Sequence, residues 1–325
     1  MTSTHGGPDA LGVPAWDFST NANACGPCPR ALAAVQRADA RHYPDPAYTA
    51  LREAIAAFHA VDAARIVLAG SASEFIGRIT AWVAREGGRR AWWPALAYGD
   101  YAQAAHAWQL QRTNEVAQAD LAWLCEPASP LGGPEPLAHS VEGSAAQVVL
   151  DRAYEPLRLR GLCSLDPVAQ NRVWQLWTPN KALGLTGVRG AYAIAPEHAL
   201  AEARALDQLA PSWPLGAHAV ALLDAWVSPA SQDWLAQSLP LLRAWKRDLG
   251  AMLADLGWTV LPSDANFFCA APPHPLNVPA LRAHGIKLRD TTSFGLPGHF
   301  RLSAQPPKAL AALQTALLAQ QERVA

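Results

Sequence analysis

The sequence carries almost no net charge: twenty-six Lys and Arg against twenty-seven Asp and Glu leave −1 at pH 7, with no marked basic run. Binding to nucleic acid or to an anionic membrane would call for such a run. The expected partner is therefore a small, neutral-to-acidic metabolite. No apolar stretch reaches the roughly 18 residues of a membrane span. Met1 to Ala10 lack the basic-then-apolar order of a secretory leader, which gives the expectation of a cytoplasmic protein. Cysteine is sparse: Cys25, Cys28, Cys125, Cys163 and Cys269 form an odd, scattered set suited to a reducing compartment. Cys25 and Cys28 make one CxxC, but no second pair or neighbouring His completes a zinc site, so an ordinary loop and no metal are expected. The sequence also lacks GxGxxG after a strand, GxxxxGK[ST], HExxH and GxSxG.

What is present is apolar mass. Half of the 325 residues are hydrophobic, enough for a large core and, by length, about two domains. Residues 1–48 read as irregular. Tyr48–Ala60 has helical spacing, with Leu51, Ile55 and Phe58 on one side. Short apolar runs follow at Arg65–Leu68, Arg90–Trp93, Leu121–Cys125, Gln147–Leu150 and Arg172–Trp177, separated by helical or loop segments. Such continuous runs predict strands buried on both faces of a mostly parallel sheet. The alternation predicts an α/β fold. Beyond about residue 200 the texture changes to Ala/Leu-rich helices such as Ser238–Leu256. Short strands are expected near Trp258–Leu261, Phe267–Ala270 and Phe300–Ser303, then a helix from Pro307. This predicts a second, smaller α+β unit. The thirteen tryptophans read as packing.

In open α/β sheets ligands sit at the carboxyl ends of strands, so polar residues there form a candidate site. The first run leads into Gly70-Ser71-Ala72-Ser73, a small-residue turn opening a helix. That turn could present backbone N–H groups to a phosphate, or Ser71 or Ser73 could be a plain N-cap. Asp151 ends the fourth run and needs a cationic partner, a protonated ring nitrogen or an Arg. Leu121–Cys125 leads into a double-Pro turn around Ser129. The last run ends in Thr178-Pro179-Asn180-Lys181. Lys181 sits among small and apolar residues, where desolvation favours covalent amine chemistry over a plain surface role. Thr178 and Arg189 could both reach one phosphate.

Thr-x-x-Lys with Arg at plus eight resembles the lysine signature of fold-type I enzymes that use pyridoxal 5′-phosphate (PLP), the aspartate-aminotransferase fold. The resemblance runs over nearly the whole chain. It implies a PLP-binding large domain over 41–210, a small domain over 211–325, and an N-terminal arm over 1–40 that joins the small domain. It assigns cofactor attachment to Lys181 and phosphate binding to Thr178, Arg189, Ala72 and Ser73. Asp151 would pair with the ring nitrogen, Tyr154 and Ser129 would face the ring's phenolic oxygen, and Tyr98 would stack on the ring. Tyr43, in Tyr-Pro-Asp-Pro, is similar to the tyrosine that enters the neighbouring subunit's site, which implies a homodimer with shared active sites.

Two segments narrow the choice. His5-Gly6-Gly7 with Asp17-Phe18-Ser19 through Asn21 and Asn23, and the run Leu288-Arg289 to Phe300-Arg301, resemble threonine-phosphate decarboxylases of cobalamin biosynthesis. Histidinol-phosphate aminotransferases are similar at the Lys and Tyr-Pro-Asp-Pro segments. The first resemblance implies decarboxylation of L-threonine O-3-phosphate to (R)-1-amino-2-propanol phosphate, with Arg301, Arg289, His5 and Asn23 toward the substrate. Transfer of an amino group to or from a phosphorylated compound is the alternative, and a non-catalytic binding protein a further one. The chain departs from the family pattern at Ser129 (usually Asn), Arg152 (usually Glu), Asn180 (usually Ser or Thr) and Ala24 (usually Pro).

Overall fold

The computed structural model describes residues 5–136, 138 and 146–321. Its strands are β1 (Trp16–Asp17), β2 (Ile66–Ala69), β3 (Arg90–Trp92), β4 (Gln111–Arg112), β5 (Leu121–Cys125), β6 (Gln147–Asp151), β7 (Trp174–Trp177), β8 (Ala191–Ile194), β9 (Thr259–Val260), β10 (Phe267–Ala271), β11 (Ile286–Lys287), β12 (Arg289–Asp290) and β13 (Phe300–Ser303). Seven of them form one sheet in the order β2-β8-β7-β6-β5-β3-β4. Six run the same way and β8 alone runs against its neighbours. Every residue of β2, β5, β7 and β8 is buried, as strands covered on both faces must be. This is the expected α/β fold with a mostly parallel sheet.

Helices cover the sheet because their apolar stripes need it. Ala72–Arg85 places Phe75, Ile76 and Ile79 against Val67 and Ala193. Thr49–His59 buries Leu51 and Ile55 against Ile66 and Ile194. Phe58 stays 38% exposed and meets Trp226 edge-on instead of entering the core. Trp123, Trp174 and Trp226 are wholly buried packing residues, whereas Trp108 and Trp213 stand at the surface.

The second sheet, β12-β13-β10-β9, is antiparallel. Helices Pro229–Asp255 and Pro307–Gln321 supply Leu249, Leu253 and Leu313 to its core. The long helix begins nine residues before the expected Ser238. Ser228 caps it with its hydroxyl on the Ser231 N–H, Pro229 fits the first turn, and Pro240 is tolerated inside. Leu215, Leu222, Trp226 and Leu235 pack in the same cluster as β2 and β8. We therefore propose that the large unit extends past residue 210 and that the boundary falls within Pro229–Asp255. The N-terminal segment touches both units: β1 pairs in parallel with β11, while Pro29–Gln36 packs against Ala217–Trp226. No helix among the described residues is long and apolar enough to cross a membrane.

Candidate active site

Five of the six co-directional strands of the large sheet, all but β4, point their carboxyl ends at one cavity of about 1560 Å³. Its walls come from sequence-distant loops, as the crevice of an open α/β sheet should. Ser71 after β2, Tyr98 after β3, Ser129 after β5, Asp151 at the end of β6 and Thr178 after β7 all line it. Arg189 arrives differently. Because β8 is reversed, the residues just before it lie at the same edge as the ends of the other strands. Arg189 therefore lines the cavity although it precedes its strand.

Part of the cavity wall gathers groups that could hold a phosphate. Ser71 caps the helix Ala72–Arg85, its hydroxyl accepting the Glu74 N–H at 3.1 Å. The Glu74 carboxylate turns back to the Gly70 N–H and to Arg78. Ala72 and Ser73, in the first turn at the positive end of the helix, line the cavity. Thr178 is buried and its hydroxyl has no hydrogen-bond partner among the described residues. A buried hydroxyl without a partner is costly, and an anion here would satisfy it.

Lys181 is half-buried, its ammonium 5.2 Å from the centre of the Tyr154 ring. Its loop is held by backbone bonds from the arm: Asn23 N–H to the Lys181 carbonyl at 2.9 Å and Cys28 N–H to the Leu183 carbonyl at 2.8 Å. The contact is so close that Gly26 and Gly184 meet backbone to backbone. A Cβ on Gly184 would lie 3.0 Å from the Gly26 Cα, and its φ is +67°. Asn180 anchors the same loop by donating to the Val188 carbonyl at 3.3 Å.

Asp151 is buried and has no cationic partner within salt-bridge distance among the described residues. Burial pushes its carboxyl up, while hydrogen bonds from Tyr101 and the Ala153 N–H, and the charge of Lys181, pull the other way. Tyr98 is held by a contact of 3.4 Å between its hydroxyl and that of Ser73, and burial raises its phenol. Tyr154 receives a 3.4 Å bond from the Asn21 side chain.

Arg289 and Arg301 also line the cavity. Arg301 donates to the Ser129 hydroxyl at 3.2 Å and lies over the Phe267 and Phe294 rings, and its Nε is buried without a partner. Arg289 donates to Ser293 at 2.8 Å and also lies over Phe294. Among the described residues neither forms an ion pair.

Three residues singled out in the sequence do not line the cavity. Asn23 does not line the cavity: its amide donates to the Ala182 carbonyl and to Ser238, and its oxygen accepts the Cys25 N–H. It braces the lysine loop through these bonds. Arg152 turns to the far side of β6, bonded to Gln170, Gln175 and Glu155 and stacked on Trp177. Tyr43 is exposed and stacked on Trp213 at 4.4 Å, outside this chain's cavity. His5 lines the rim. Cys25 and Cys28 meet Ser238 and Ser231, and burial pushes the Cys25 thiol up to about 11. The reading of the sequence missed Tyr101, whose Tyr-x-x-Tyr spacing after β3 was the available signal. It also missed the clasp of Asp17 on Ser19 and Thr20 beside the arm.

These residues fit PLP. An unsatisfied Thr178 hydroxyl, free helix N–H groups and Arg189 suit its phosphate. Asp151 offers the anion that a protonated ring nitrogen needs, and Lys181 faces into the cavity between them.

The family model for aminotransferase class I and II matches residues 14–126 and 136–317. The chain is 30% identical over 322 residues to histidinol-phosphate aminotransferase 1 of Thiobacillus denitrificans, covering 88% of this chain and 80% of that protein. Among solved structures, histidinol-phosphate aminotransferase from Sinorhizobium meliloti, in complex with pyridoxal-5′-phosphate, superposes with a TM-score of 0.82 at 22% identity. That match covers 100% of this chain and 96% of the other. L-threonine-O-3-phosphate decarboxylase from Porphyromonas gingivalis gives 0.75 at 21% identity over 94% and 99%. At these identities the two structures speak for the fold alone.

Proposed function

The chain belongs to the aminotransferase class I and II family, and from that premise we propose that it is a PLP-dependent enzyme acting on a small phosphorylated amino compound. Bound PLP supplies an electron sink for the bond broken at the substrate's α-carbon. The protein supplies everything else. Thr178, Arg189 and the N–H groups of Ala72 and Ser73 hold the cofactor phosphate, and Tyr98 stacks on the ring. Asp151 keeps the ring nitrogen protonated, and Tyr154 hydrogen-bonds the phenolic oxygen. Lys181 carries the cofactor and afterwards holds or delivers the proton at the α-carbon.

Our reading of the reaction is decarboxylation of O-phosphothreonine to 1-amino-2-propanol phosphate. The observation that carries it is the pair Arg289 and Arg301, two unneutralised guanidiniums in one wall. They suit a substrate that presents carboxylate and phosphate at the same time. Histidinol phosphate has no carboxylate and would leave one of the two without an anion. With both anions fixed, the two arginines would orient the substrate's Cα–carboxylate bond for the cleavage chemistry that bound PLP would supply.

The second reading, amino-group transfer with histidinol phosphate or a similar compound, has the curated relatives on its side. Relatives at 28% and 30% identity are histidinol-phosphate aminotransferases. An aminotransferase would use the two arginines in turn, for a phosphate and for a dicarboxylic acid. Single-turnover mixing with O-phosphothreonine separates the readings. CO2 release without a keto acid supports decarboxylation. Conversion of the visible band to that of the pyridoxamine form, reversed by 2-oxoglutarate and without CO2, would overturn it. A homodimer in which Tyr43 enters the partner's site completes the proposal, and sedimentation with a Tyr43→Phe variant tests it.

A further inference from the structure

The carboxylate of Asp151 is not held by the sheet alone. Its Oδ2 accepts the Tyr101 hydroxyl at 2.7 Å and its Oδ1 accepts the Ala153 N–H at 2.9 Å. Tyr101 comes from the first turn of the helix Gly99–Ala107 and is wholly buried. Its ring lies flat on Trp123 of β5, with centroids 4.6 Å apart and planes at 8°. Its edge meets Tyr98 at 5.8 Å and 87°. One residue thus touches both the acid at the floor of the cavity and the aromatic ring that forms its side. The stack leaves Tyr101 little freedom, so its O–H is aimed before any ligand arrives.

We propose that Tyr101 is the positioning residue of the ring-nitrogen site, its hydroxyl fixing the orientation of Asp151 and keeping that carboxylate ionised inside a dry pocket. The inference rests on the PLP reading above. Burial alone would favour the neutral acid, which could not pair with a protonated nitrogen. Two neutral donors offset that preference without supplying a competing cation, leaving the charge of Asp151 for the cofactor. The other ionisable groups around the carboxylate are Lys181, which favours the anion, Asp100, which opposes it, and the Cys125 thiol, which is wholly buried beside it. Cys125 lies directly opposite Asp151 in the sheet register.

The test is PLP affinity measured against pH by the visible absorbance of the bound cofactor, in the full chain. Tyr101→Phe keeps the stack on Trp123 and deletes only the donor. It should weaken PLP binding by about ten- to a hundredfold, the range for a bond to a charged group. The acid limb of binding should move to higher pH, because Asp151 then protonates more readily. In an Asp151→Asn background the same substitution should have almost no effect. Should Tyr101→Phe fail to fold, 2,3-difluorotyrosine at 101 preserves the shape and strengthens the donor, and the acid limb should move to lower pH. Unchanged affinity and an unchanged acid limb in either variant would overturn the proposal, as would equal losses with Asp and with Asn at 151. A wild-type protein that shows no PLP band would instead overturn the cofactor reading beneath it.

Discussion

Arg289 and Arg301 stand directly opposite one another across the β12–β13 pair, so two positive charges share one face of a strand ladder. Like charges in that position oppose folding. Burial and the Arg301 charge together push the Arg289 guanidinium below its usual range. The Phe294 ring lies within 4.7 Å of one guanidinium and 5.1 Å of the other and offsets part of that repulsion. A doubly anionic substrate would offset the rest. Replacing Arg301 by Gln should lower kcat/KM by about a hundredfold, the scale of a lost charge-assisted pair. The apo protein should melt no lower, and a rise of several degrees would reflect the relieved repulsion. Steady-state kinetics with calorimetry on the two variants Arg301→Gln and Arg289→Gln checks both halves.

Ser129 is tied to the arginine wall. Its hydroxyl accepts from Arg301 at 3.2 Å, where a family Asn would face the cofactor. Ser129→Ala should therefore raise KM about five- to thirtyfold through loss of that bond, with PLP affinity unchanged. Loss of PLP with an unchanged KM would return Ser129 to the cofactor side.

Lys181→Ala should lose turnover by about 10⁴-fold or more, as removal of a covalent catalyst does. Borohydride treatment of the wild-type holoenzyme should add the mass of the reduced cofactor to the one peptide containing Lys181. Mass spectrometry of a digest decides this, and a label on any other lysine would move the attachment site.

His59 Nε2 and the Tyr192 hydroxyl are hydrogen-bonded at 2.8 Å, and Tyr192 also accepts from the Trp226 indole N–H. Burial depresses the His59 imidazole to about 4. The unfolded chain, with an ordinary value near 6.5, binds the proton first. Stability is therefore full above about pH 6.5 and is lost as pH falls toward 4, by no more than about 3 kcal/mol. His59→Gln, which retains an acceptor, should flatten urea-unfolding stability between pH 6.5 and 4.5. A slope equal to wild type would assign that window to other groups.

Gly184 has φ +67° and the Gly26 Cα beneath it, so Gly184→Ala meets strain and a backbone clash at once. A loss of about 2 kcal/mol is expected by chemical denaturation, with slower PLP loading because the lysine loop is displaced.

Much of the site could be read from the sequence because strand ends announce themselves. A buried run followed by a polar residue marked Asp151 and Thr178 at once, and Leu121–Cys125 matches its strand end to end. What escaped was set by contacts distant in the chain more than by local pattern. The strand Ala191–Ile194 is four residues long and its direction is set by neighbours far away in the chain. Asn23 looked like a ligand because it is polar and near a motif. Only the fold shows its amide consumed by Ala182 and Ser238. Tyr101 was hidden because an aromatic on a helix reads as core, and it is core, apart from one oxygen.

The reversed strand β8 also governs the order in which the molecule can assemble. β2 has β8 as its one partner in the sheet, and residues 70–190 separate them. A chain still emerging from the ribosome therefore holds the phosphate turn after β2 apart from the lysine loop after β7 until residue 194 is available. Nascent chains stopped short of that point should bind no PLP, whereas chains extended just past it hold every strand of the large sheet.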